Sequence, residues 1–139
     1  MSQALSLMSL SWRATASVAA CRCVGFDGAQ IGVKGAKVAG VSDYSAAEGE
    51  MFAATCVGTA MVEAGAAFNP GDSLIADAQG RAIPATGPLA VKAGATAVTS
   101  TAANGAAVLQ GADLPEFVFA DALEAATGPG QRVEVLFRR

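Results

Sequence analysis

A chain of 139 residues, 53% of them hydrophobic, has enough apolar material for one domain with its own core, so no disulfide framework or structural metal is needed for folding. Aromatics supply only 6% and much of the apolar share is alanine, so each packed layer gains little at about 25 cal/mol per Å², and a neighbouring surface is expected to complete the burial. Nine Lys and Arg against twelve Asp and Glu, a net charge of −3 with no basic stripe, argue against direct nucleic-acid binding, whose affinity comes from neutralised phosphates.

Residues 1–23 form the first unit. Leu5, Leu7, Leu10 and Trp12 are separated by Ser and Met and followed by Arg13, without Gly or Pro, which reads as an apolar arm that docks on its own domain or on a neighbour. Val18-Ala19-Ala20-Cys21 has the look of a lipoprotein cleavage box, but no positive n-region precedes it and Arg13 interrupts the apolar run. No stretch approaches the ~18 apolar residues of a membrane span, so no membrane partner is expected. Cys21 and Cys23, one residue apart around Arg22, are too close for zinc-knuckle spacing, and with Cys56 the count is odd. Free, reduced thiols are expected, as in a protein made in a cytoplasm.

Residues 24–139 are expected to form an all-β domain, a small β-sandwich or barrel-like fold preceded by the extended arm. Glycines crowd 24–41, and Asp27-Gly28 signals a hairpin. Short strands with solvated lysines are expected at Val33-Lys34 and Lys37-Val38. Met51 to Glu63 is the clearest strand: Phe52, Ala54, Cys56, Ala60 and Val62 share one face at period two, and Gly58 marks a bulge or a close backbone approach. Phe68 to Asp72 is a turn, and Leu74-Ile75-Ala76 and Arg81-Ala82-Ile83 flank a hairpin ending in Gly80. Thr86 to Gly111 is rich in Ala, Thr and Gly, with an edge strand expected at Val98–Thr101 and a tight turn at Asn104-Gly105. Asp121–Ala126 reads as strand rather than a helical turn, and Val133, Val135 and Phe137 alternate with polar residues in a half-buried final strand. A weak repeat relates 38–57 to 119–138: with Gly49 on Gly130, Phe52 falls on Val133, Ala54 on Val135 and Cys56 on Phe137.

Chemistry is hard to place. The chain has no histidine, which removes the commonest general base and metal ligand. Glu48 and Glu50 flank a turn glycine and read as solvated loop charges, while Asp43, Asp72 and Asp77 read as turn formers. Gly32-Val33-Lys34-Gly35-Ala36-Lys37 has the wrong spacing for a phosphate loop, and Gly128-Pro129-Gly130 lacks the third glycine of a dinucleotide site. No catalytic residue, cofactor or metal site is expected, and a packing role suits the small side chains.

Several blocks resemble phage capsid decoration, or cement, proteins: Gly35 to Val41 with Tyr44 to Glu50, Val57 to Ala67, Pro70-Gly71-Asp72, Gln79 to Ala82, and Asp121–Ala126 through Gly130 to Leu136. The resemblance spans roughly 24–84 and 105–139. It implies a structural virion protein, a homotrimer on the exterior of an icosahedral phage head, made in the bacterial host cytoplasm. Its partners would be the major capsid protein, whose subunit contacts it stabilises, and copies of itself. No catalytic residues come with it. Leu5, Leu7, Leu10 and Trp12 are the candidate partner contacts, with Trp12 the natural anchor of a strand added to a neighbour's edge. The competing reading is a tail-associated or adhesion module binding a host surface ligand, which needs exposed loop aromatics; Tyr44 is the one apparent in sequence. A lipoprotein anchored at Cys21 and a small hydrolase rank lower.

Overall fold

The computed structural model describes residues 4–85 and 117–138, where the chain is all β. The strands are β1 (Ser6–Arg13), β2 (Cys23–Val24), β3 (Gly40–Ser42), β4 (Met51–Glu63), β5 (Ser73–Ala76), β6 (Ala82–Pro84), β7 (Ala120–Ala122) and β8 (Arg132–Phe137). They form one sheet in the order β2-β3-β4-β8-β7-β5-β6, with β1 paired to β4. The named pairs are antiparallel. Cys23 N donates to Gly80 O at 2.7 Å, tying β2 at one end of that order to the β5–β6 turn at the other. The sheet is therefore a nearly closed barrel, which leaves few strand edges open.

β4 forms over the residues its alternation predicts. Phe52, Ala54, Cys56, Ala60 and Val62 are all buried, and the inward file pauses only at Gly58. One core cluster gathers Val62, Leu74, Val133, Val135, Phe119 and Phe137 with many alanines. A second, smaller cluster holds Ala14, Val18, Val24, Ala46, Phe52 and Ala54, with Trp12 packed against it.

The repeat suspected in the sequence runs through the backbone hydrogen bonds. Val18 and Ala46 exchange N–H···O bonds of 2.9 Å; Phe68 and Ala126 exchange bonds of 3.1 and 3.0 Å. Gly49 N to Ala14 O, 2.8 Å, has its counterpart in Gly130 N to Ala64 O, 2.9 Å. Cys21 N to Ser42 O, 2.9 Å, matches Gly71 N to Ala122 O, 2.8 Å. Strand registers agree too: Trp12 faces Phe52 as Val62 faces Val133, and Ser42 faces Ala54 as Ala122 faces Val135. Two halves with one scheme share β4, whose N-terminal part serves the first half and whose C-terminal part serves the second.

Each half contributes two corners, over 14–22 and 43–50 in the first and 64–72 and 123–131 in the second. Near its end each corner places one residue in the left-handed region: Cys21 (φ 58°), Gly49 (84°), Gly71 (88°) and Gly130 (89°). Glycine adopts that conformation freely, whereas a residue with a Cβ carries strain of roughly 1–2 kcal/mol. Cys21 is the exception among the described residues. Cys21→Gly is expected to raise stability by about 0.5–1 kcal/mol, part of the relief being lost to the freer unfolded chain. The urea midpoint measures it; an unchanged or lower midpoint would show that the thiol's packing outweighs the strain.

Expected and observed elements differ in places. Val33 to Ala36 form a turn, closed by Ala36 N donating to Val33 O at 3.2 Å, where short strands were expected. Only Ala120–Ala122 of the region around Asp121–Ala126 is strand; the chain then enters the fourth corner, and Ala126 makes the isolated bridge to Phe68. The expected strand at Val98–Thr101 and the turn at Asn104-Gly105 lie outside the described residues, as does most of the Ala/Thr/Gly-rich stretch.

Candidate functional site

The N-terminal segment is laid along β4. Ser9, Leu10, Ser11, Trp12 and Arg13 face Thr55, Ala54, Ala53, Phe52 and Met51, and the register shifts before Ser9 so that Met8 faces Val57 and Ser6 faces Gly58. Leu5 is held at both backbone groups: its N–H donates to Thr59 Oγ1 at 2.7 Å, and its carbonyl accepts from Thr59 N at 2.9 Å. Past Arg13 the segment enters the core, where Ala14, Val18 and Cys23 are buried.

Backbone bonds fix this strand while its large side chains stay in solvent. Leu5, Leu7, Met8 and Leu10 are 64%, 70%, 42% and 45% exposed. Leu136 of β8, opposite Thr59, is also exposed and extends the apolar area across the sheet. The serines between them add little polarity, since Ser6 Oγ and Ser9 Oγ bond each other at 2.7 Å. Exposed leucines gathered on one paired strand form a larger apolar area than scattered single residues would. Of the four sequence candidates, Leu5, Leu7 and Leu10 are exposed, Leu10 on the same face of β1 as Trp12, since it lies opposite Ala54 as Trp12 lies opposite Phe52. Trp12 is turned inward, half-buried, its ring 6.4 Å from that of buried Phe52.

Four of the carboxylates singled out in the sequence accept hydrogen bonds, Asp77, Asp72 and Glu50 within turns and Asp43 from β4. Asp77 accepts from Gln79 N, Arg81 N and Arg81 Nε, each at 2.8 Å. Asp72 Oδ2 accepts from Asn69 N at 2.8 Å, Asp43 Oδ1 from Thr55 Oγ1 at 2.8 Å, and Glu50 Oε2 from Ala47 N at 3.3 Å. Arg22 Nη2 pairs with Glu63 Oε2 at 3.0 Å and Arg22 Nη1 donates to Gln79 O at 2.8 Å, clamping the first corner to β4 and to the β5–β6 turn. The three cysteines are free thiols. Burial pushes the Cys23 thiol far up, with the Asp77 charge adding to it, and burial also raises Cys21. Raised thiols are poor nucleophiles at neutral pH. Among the described residues no group of His, Cys, Asp and Glu is arranged to hold a metal ion.

Sequence reading missed two exposed aromatics. Phe26 and Phe117, like Tyr44, present much of their rings to solvent. Phe117 follows a long low-complexity stretch and Phe26 sits in a glycine-rich one, so neither stood in a pattern that betrayed its exposure.

An Ala/Gly-rich barrel whose carboxylates close turns and whose most exposed strand is apolar is built to be a structural protein that works by surface contact. The sequence carries the family signature of such proteins: the model for phage cement proteins matches residues 3–137, and the chain belongs to that family of capsid-associated structural virion proteins. No curated protein matches the chain. Among solved structures it is similar to the N-terminal base of the head fiber protein gp8.5 of bacteriophage phi29, with 21% identity, a TM-score of 0.59, and coverage of 94% of this chain and 93% of that one. At that identity the likeness speaks for the fold. The expected all-β, barrel-like class and the cement-family resemblance are thus both met.

Proposed function

We propose that this protein cements the exterior of an icosahedral phage head, binding the major capsid protein through the β1 surface and stabilising contacts between its subunits. The observation that carries the reading is the row Leu5, Leu7, Met8 and Leu10, solvent-exposed on a strand whose backbone is pinned to β4. Membership of the cement family supplies the partner class. Leu5, Leu7 and Leu10 make the contact, and Trp12, seated on Phe52, stiffens the strand that presents them. Copies of the chain associate as a homotrimer, so weak contacts act together and release requires breaking all of them at once. The protein is made in the bacterial host cytoplasm, where its three thiols stay reduced.

The test compares particles with and without the protein under heating. Particles that carry it are expected to retain their DNA to higher temperature. Equal survival of both populations would refute cementing, and an adhesion role would then be measured by binding to host cells.

A further inference from the structure

β1 is paired on one side only. Ala14 N donates to Glu50 O and Gly49 N to Ala14 O, each at 2.8 Å, so Ala14 turns its backbone toward β4. In an antiparallel ladder that direction alternates, so Trp12 and Leu10 bond β4 while Ser11 and Ser9 turn their N–H and C=O groups to the other side. Among the described residues neither serine has a backbone partner there, and both are exposed. The open stretch is bounded at both ends. Past Arg13 the chain's own loop closes the edge, Thr15 N donating to Gly28 O at 3.3 Å, and before Ser9 the register shifts break the regular ladder. An edge left to solvent is ordinarily guarded by a lysine, a proline or a covering segment. Leu5 to Trp12 carries neither charge nor proline. The two ends of the main strand order are by contrast tied to each other, Cys23 N to Gly80 O.

We propose that the Ser9–Arg13 edge takes an extended segment of the major capsid protein as an added strand, bonded to the N–H and C=O groups of Ser9 and Ser11. The proposal rests on β1 being the capsid contact and states how that contact is made. The leucine side chains supply apolar area, while the backbone groups of Ser9 and Ser11 fix the register of the incoming segment. Leucines and edge belong to one strand, so a segment seated on the first lies against the second. A second copy of this chain is the poorer occupant. The comparable edge it offers is its own β1, and β1 against β1 makes a two-fold pair that consumes the strand on both molecules.

The experiment follows hydrogen exchange at single amides of the full chain, free and attached to isolated capsid shells. In the free protein Leu10 and Trp12 are expected to exchange slowly and Ser9 and Ser11 fast; on shells Ser9 and Ser11 are expected to slow by at least about tenfold. Ser11→Pro removes one outward N–H and no bond to β4, and a strand edge tolerates proline. It is expected to weaken co-sedimentation with shells by about tenfold, since a partner carbonyl is left without its donor. Ser11→Ala keeps the N–H and is expected to attach as the unmodified protein does. Where Ser11→Pro loses protection at Leu10, the exchange of the unmodified chain decides alone. Attached protein with Ser9 and Ser11 still fast, or a folded Ser11→Pro that attaches undiminished, would overturn the added strand and leave capsid contact through β1 standing. No attachment of the unmodified chain would overturn both. Ser9 and Ser11 protected in a free dimer would give the edge to a second copy and overturn the proposal.

Discussion

Leu7→Thr and Leu10→Thr together are expected to leave the domain folded and to weaken attachment to the capsid on the order of 100-fold or more. Both side chains are exposed in the free protein, so their loss costs folding little, within about 0.5 kcal/mol. Threonine keeps the β-branched preference of a strand, so β1 stays paired with β4. Attachment is another matter. A leucine fully buried on binding contributes about 1.5–3 kcal/mol, and two of them account for two or more decades in Kd. Co-sedimentation of the variant with capsid shells measures the effect, and circular dichroism confirms the fold. Undiminished sedimentation would remove β1 from the contact surface.

The second large effect is expected at Gly58, which sits where the two halves share β4. Its φ of 104° suits glycine, and a Cβ there would come within 2.2 Å of Leu5 O and 3.0 Å of Leu7 N. Backbone cannot swing aside as a flexible side chain does, so Gly58→Ala combines backbone strain with a clash and should cost roughly 2–4 kcal/mol. The start of β1 should lift away, breaking the Thr59 N to Leu5 O bond and raising amide exchange at Thr59. Gly71→Ala is the control, because Gly71 has the same sign of φ (88°) with nothing within 4 Å, and it should cost only about 1–2 kcal/mol. If both variants lose equal stability and Thr59 stays protected, the close seat of β1 on β4 is disproved. A detached β1 start would also scatter Leu5 and Leu7, so on the proposed attachment Gly58→Ala is expected to weaken binding to the capsid as well.

Period-two alternation was enough to read β4 and β8 as strands, because each buries its apolar file and one-residue slips would expose it; Glu134, read as lying on a wet face of β8, is buried. The glycine in β4 announced a close approach without saying what approached; that needed Leu5, far away in sequence. The repeat was visible only in its best-matched pair of hairpins. In the first and third corners the shared signal is a single left-handed residue, and Cys21 in place of glycine hides it. Val33 to Val38 looked like short strands because a valine stands beside a lysine at each end, but the turn ending at Ala36 prevails there. The exposed leucines of β1 were legible as partner candidates because an uncharged apolar run stands out in any composition. For Trp12 the sequence left open both an outward anchor and a return onto its own domain, and the second holds because Phe52 lies directly across the strand pair.

The sharing of β4 bears on how the molecule carries force. A dimer of half-barrels would part along its seam when pulled. Here a single covalent backbone, Met51–Glu63, crosses from one half into the other and is flanked by β1 and β3 at one end and β8 at the other. On the proposed attachment, tension entering at the leucines of β1 would pass into β4 through ladder bonds loaded in shear, which must fail together rather than one after another like a zip. A shell under outward load from packed DNA asks that of a rivet.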